Sequence, residues 1–155
     1  MAEIRSVGDF NLATAEVITS AGLKINIKPN IIQIDIFEDM TRNSIAGEIL
    51  LQDSGGFVSE GPIIGQEYLR LKIQTPSLTN ERDIIDFTKN VFVINSVSSR
   101  SEVANNVSVY LLSFSSSEIF KNQRTKITGS LTGTYSDIVK QMLDRVNCQK
   151  TIFLE

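Results

Sequence analysis

The sequence predicts a mainly β fold: antiparallel strands joined by polar turns, with one short and one longer α-helix, which is α+β by strict counting. Three observations predict it. The stretch Asn30–Asp53 reads as two strands around a turn, with Ile32, Ile34 and Ile36 on one face of the first and Ile45, Ile49 and Leu51 on one face of the second. Side chains alternate with period two along a strand, and β-branched residues suit a pleated, half-buried surface. The same alternation returns within residues 14–28, 68–75, 87–98 and 107–114. Against these, Tyr135–Val146 carries the clearest helical stripe, formed by Tyr135, Ile138, Val139, Met142, Leu143 and Val146.

In chain order, Met1–Leu12 shows no period and reads as an arm. Thr14–Ser20 and Leu23–Lys28 form a hairpin about Ala21-Gly22, because glycine takes a positive φ at least cost. Pro29 ends that ladder, since it has no N–H to donate. Glu38–Ser44 is too polar to bury and supplies the next turn. Ser54–Gly65 is broken by glycine and proline and reads as an ordered loop pinned by Phe57, Ile63 and Ile64. Tyr68–Thr75 alternates again: Leu69, Leu71 and Ile73 face one way, while Tyr68, Arg70, Lys72 and Gln74 face the other.

Phe87–Ser98 and Val107–Phe114 read as a long antiparallel pair joined by the polar Ser99–Asn106. Both faces of this pair are apolar, so a core is expected on one side and a helix or a neighbouring subunit on the other. Ser115 and Glu118 have the capping-box spacing for a short helix ending near Asn122, and Thr134 and Asp137 repeat it before the longer helix. Lys126–Leu131 reads as strand between the two, and Thr151–Leu154 as the beginning of another.

The totals exclude more than they assign. With 155 residues the chain is read as one domain, 1–155, large enough for a core without staples. A net charge of −3 leaves no nucleic-acid footprint. Cys148 is the one cysteine, so no internal disulfide forms. No apolar run approaches the roughly 20 residues that span a bilayer, and the opening MAEIRSVGDF is not patterned as a signal peptide. The chain has no histidine, which removes Ser/His and Cys/His nucleophiles and histidine-ligated zinc.

The candidate motifs are weak one by one. Asp35, Glu38, Asp39 and Asp53 fit neither the paired carboxylates of a glycosidase nor a calcium loop, and Glu38-Asp39 reads as a solvated turn. Gly129–Thr134 precedes a helix but lacks the Gly-Lys-Ser/Thr ending of a phosphate loop. Asn106-Val107-Ser108 has the spacing of a glycosylation acceptor, without a secretory signal to give it meaning. The residues imply neither catalytic group, cofactor nor metal.

The order of pieces carries more. IIQIDIFEDM, SIAGEILLQD, GPIIGQEYLRLKI, VFVINSVSSR, VSVYLLSFSSSE and TYSDIVKQML follow one another from about Ala13 to Val146. In this order they resemble the baseplate central hub proteins of contractile-tailed bacteriophages, the myoviruses. The resemblance implies a tail-tube-like β-barrel or sandwich flanked by a helix. It also implies a homotrimer with two such barrels per chain, in a ring that joins the tail tube protein to the central spike protein.

By that resemblance the chain is the N-terminal tube-like domain of a longer hub. The resemblance further implies a structural virion protein made in the host cytoplasm, with no membrane partner and with a lumen that could pass DNA without binding it specifically. Alternatives are a tail-tube or type VI secretion-like tube subunit and, from another class, a cell-wall-degrading baseplate domain using Glu38, Asp39 and Glu48. Two expectations follow. The stripe of the longer helix lies against the barrel, so that Ile138→Asp or Met142→Asp costs on the order of 3 kcal/mol. Tyr68, Arg70, Lys72 and Gln74 face the lumen or a partner, with Lys24, Asn26 and Lys28 as a second such row, so that reversing Arg70 and Lys72 leaves the fold intact.

Overall fold

A computed structural model describes residues 9–42, 44–54, 56, 63–76, 84–104 and 107–145. Seven strands form one antiparallel sheet: β1 (Asn11–Ile18), β2 (Lys24–Asn26), β3 (Ile31–Phe37), β4 (Ala46–Asp53), β5 (Tyr68–Gln74), β6 (Ile84–Ala104) and β7 (Val107–Ser116). Their order across the sheet is β2-β1-β5-β6-β7-β4-β3. Two helices follow, α1 (Glu118–Arg124) and α2 (Tyr135–Arg145). The mainly β, antiparallel class with two helices is what the alternation predicts.

The connection between the sheet's two edges shows that the sheet is rolled. A flat seven-stranded sheet would be about 29 Å across, at about 4.8 Å per step. Yet β2 and β3, its opposite edges, are joined only by residues 27–30, a link that reaches at most about 18 Å when extended. The sheet must therefore curl until its edges approach. Lys28–Asn30 makes a single 3-10 turn in the seam. On one side the Ile27 N–H donates to the Ala15 carbonyl of β1 at 3.0 Å; on the other, Asn30 Nδ2 donates to the Gln52 carbonyl of β4 at 2.9 Å. Ile27 is itself buried. The result is a partly open barrel stitched by one turn.

The inside of the roll is one apolar cluster. Ala15 and Val17, Ile49 and Leu51, Leu69 and Leu71, Phe92 and Ile94, and Tyr110, Leu112 and Phe114 are all buried, each set at alternate positions of its strand. Burying one leucine-sized side chain stabilises by about 2 kcal/mol. The rings of Phe87, Phe92 and Phe114 stack through it, with centroids 4.4 and 4.8 Å apart and tilted planes.

Bulges decide which residues reach that core. On β3 the pairing skips between Ile31 and Gln33, so Ile31, Ile34 and Ile36 turn inward and Ile32 is 53% exposed. Regular alternation would have placed Ile32 inside and Ile31 outside. On β6, Leu69 pairs with Phe92 and Leu71 with Phe87, so three extra residues are extruded between the two phenylalanines. An odd insertion brings Phe87 and Phe92 to the same face although they are five apart. A further shift between Ile94 and Ser96 lets Val97 pack on the core. Bulges bend and twist a strand, which is how a long strand follows a rolled sheet.

Several boundaries differ from the pattern-based expectation. β1 begins at Asn11, inside the segment read as an arm, because Asn11 and Leu12 pair with the end of β5. β6 continues through Ser99 to Ala104, where a turn is expected from the polar composition; Ser99 takes a φ of 54° within a register shift. Lys126–Leu131 is not a strand: it pairs with nothing described and is largely exposed. Ile64, expected to pin its loop, is 65% exposed, whereas Ile63 packs on the core. Phe57, Cys148, the end of the Asn106 motif's connection and Thr151–Leu154 lie outside the described residues.

The two capping expectations part ways. Thr134 and Asp137 form a reciprocal box: Thr134 Oγ1 donates to Asp137 Oδ2 at 2.7 Å, and the Asp137 N–H donates to Thr134 Oγ1 at 3.3 Å. The Thr134 hydroxyl, and then the Thr134 N–H that donates to Asp137 Oδ2 at 3.4 Å, hold the Asp137 carboxyl below its usual pKa. Ser115 caps nothing, because it is buried in β7, where its hydroxyl exchanges hydrogen bonds with the Asn95 amide. Helix α1 begins after Ser117 with no side-chain cap.

The longer helix also departs from expectation. No side chain of α2 is buried, and α2 packs extensively on no described strand. Tyr135 is 91% exposed and Val139 46%. Tyr135→Asp and Val139→Asp are thus expected to change the stability of the isolated chain by no more than about 0.5 kcal/mol, as surface substitutions do. Urea denaturation checks this, and a loss of several kcal/mol would mean that the stripe is covered within one chain.

Candidate interaction surface

Tyr68, Arg70, Lys72 and Gln74 share the outer face of β5, because Leu69 and Leu71 between them point into the core. Their neighbours across the sheet settle what each side chain can do. Arg70 faces Glu16 of β1, and its Nη1 lies 3.1 Å from Glu16 Oε2. Its Nε donates to the Thr88 carbonyl at 3.2 Å. Thr88 belongs to the three-residue bulge of β6, so the guanidinium occupies the gap where the β5–β6 ladder is interrupted and satisfies a carbonyl there. Arg70 is thereby committed to its own sheet.

Lys72 is paired as well, its Nζ 3.1 Å from Asp86 Oδ2. Asp86 in turn accepts from the Thr88 N–H at 2.9 Å and the Thr88 hydroxyl at 2.6 Å, which shapes the entry into the bulge. The Thr88 hydroxyl and N–H, then Lys72, lower the Asp86 pKa from 3.8 to about 2. A depressed carboxylate contributes stability above its unfolded pKa and loses it as pH falls through the folded one. The Asp86 contribution is therefore complete above about pH 4 and vanishes on acidification towards pH 2. The carboxyl carbon shift of Asp86 is expected to titrate near 2, and Thr88→Val should move the midpoint up towards 3.8; an unmoved midpoint would refute the cause given.

Tyr68 is 47% exposed at one end of the row, beside a groove of about 690 Å³. The groove lies between the β6 bulge and the start of α1. Phe87, Val91 and Phe92 line it together with Lys89, Glu118 and Lys121. Gln74 is half-buried at the other end. The second row is shorter than the alternation implies. Lys24 and Asn26 are exposed on β2, but Lys28 has left the strand for the seam turn, where its N–H donates to Asn26 Oδ1 at 3.0 Å.

The acidic residues do not converge. Asp39 is used by its own turn, accepting from the Thr41 N–H and hydroxyl at 2.8 and 2.7 Å; these bonds lower its pKa, with Arg42 adding to them. Glu38 is exposed and Asp53 buried, whereas Glu48 sits opposite Asp35 on the outside of the β3–β4 pair. Among the described residues no group of three or more His, Cys, Asp or Glu is placed to hold a metal ion. No helix among them is long and apolar enough to cross a membrane.

One charged residue escaped the pattern-based reading. Glu67 is fully buried, and its carboxylate accepts from three successive main-chain donors: the N–H groups of Ile64, Gly65 and Gln66, at 2.8, 2.9 and 3.1 Å. Its own carbonyl accepts from the Ile94 N–H at 2.9 Å. Gly65 has a φ of 88° and passes so close to β6 that an added Cβ would lie 3.1 Å from the Asn95 carbonyl oxygen. The segment IIGQE is thus a clamp that fixes the entry to β5 and the level at which Tyr68 begins. The available signal was a glutamate two residues after a glycine, directly before an alternating strand.

No model of a known protein family matches the chain, and no curated protein matches its sequence.

Proposed function

We propose that this chain is a structural, ring-forming element of a phage tail: the tube-like domain of a baseplate hub that joins the tail tube to the central spike, without catalysis. The observation that carries the reading is the apolar stripe of α2, in which, among the described residues, Tyr135 and Val139 are exposed and Ile138, Met142 and Leu143 only half-buried, in a chain whose sheet is rolled and antiparallel. An amphipathic helix of 11 residues gains little stability from propensity alone and takes it from packing of its apolar face. A neighbouring subunit supplies that packing in a ring. The resemblance of the ordered segments supports the same reading, and the IIGQE clamp gives its central motif a structural purpose.

A density map of the tail tests the proposal. Three copies in a ring at the tube–spike junction would support it; density there that does not fit this barrel would reject it. Native mass spectrometry of the isolated protein separates the tube-subunit alternative, which predicts six-membered rings formed unaided. The outer row gives a further test. Lys72→Glu removes one surface ion pair, of a kind that contributes little to stability, so the domain stays folded, whereas assembly with tube or spike is impaired if the row faces a partner. Particles of normal infectivity would show that this row is plain surface.

A further inference from the structure

We draw no further inference here: the strongest candidate, the apolar stripe of α2 that no described strand or helix buries, carries nothing because nothing in the structure shows what covers it, and Asp137 and Asp144 lie on the side of the helix away from the stripe, where they give no pairing with the lysines of the groove.

Discussion

Glu67→Ala is expected to destabilise the protein by about 3 kcal/mol, because hydrogen bonds to a charged acceptor are worth about 1.5–3 kcal/mol each and three are lost together. The sum is not additive, since the substitution also removes the cost of burying a carboxylate. Glu67→Gln keeps the shape and one acceptor oxygen but turns an NH2 towards main-chain donors, so it should fall between wild type and alanine. Denaturant unfolding gives the size of the loss as a lower midpoint at unchanged slope. Amide hydrogen exchange should locate it, with the Ile64, Gly65 and Gln66 amides losing protection before the core strands do. An alanine variant as stable as wild type would mean that water replaces the carboxylate and that the clamp is dispensable.

Gly47→Ala should be comparably damaging for the opposite reason, too much matter instead of too little. Gly47 pairs with Ile36 on β3 and with Phe114 on β7. The Phe114 ring lies over the glycine so closely that an added Cβ would overlap it, and the same Cβ would stand 2.5 Å from the Asp35 carbonyl oxygen. Overpacking a close-packed core costs about 1–3 kcal/mol, and here the neighbour includes main chain that cannot rotate away. Phe114→Leu added to Gly47→Ala should recover only part of the loss, because it frees the ring contact and leaves the carbonyl contact. Complete recovery in the double variant would show that the ring alone excludes the methyl group.

What was legible in the sequence divides along a physical line. Alternation is a local property, and it put Leu69 with Leu71 and Ile49 with Leu51 on the faces that meet the core, because those strands run without interruption past it. It failed at Ile32, and the shared inward face of Phe87, Phe92 and Val97 lay outside its reach, because an extruded residue changes the face of everything beyond it. Bulges arise from the curvature that a rolled sheet demands, and curvature is a property of all seven strands together. The same holds for Arg70. Alternation put it on the outer face, but only the bulge opposite shows that its guanidinium is engaged with Glu16 and Thr88. Glu67 was passed over because glutamate in a loop ordinarily meets water; nothing local announces three donors turned inward. The α2 stripe was legible as a stripe, but its position was not, since amphipathicity states that a face wants cover and leaves open where the cover is.

The strand order also bears on how the molecule comes into being. Hairpins β1–β2 and β3–β4 leave the ribosome first and are next to each other in sequence, yet they never pair with one another. They are held apart by the later meander β5–β6–β7, which seats β1 on one flank and β4 on the other. Until that meander is synthesised, β1 and β4 each offer an unsatisfied edge, in two hairpins tethered to one another by the four residues 27–30. Two of the six pairings, β1 with β5 and β4 with β7, must wait for distant partners, and such non-local pairing slows folding. The short seam turn that makes the finished barrel compact is therefore also what keeps the two early hairpins within reach of each other while they wait.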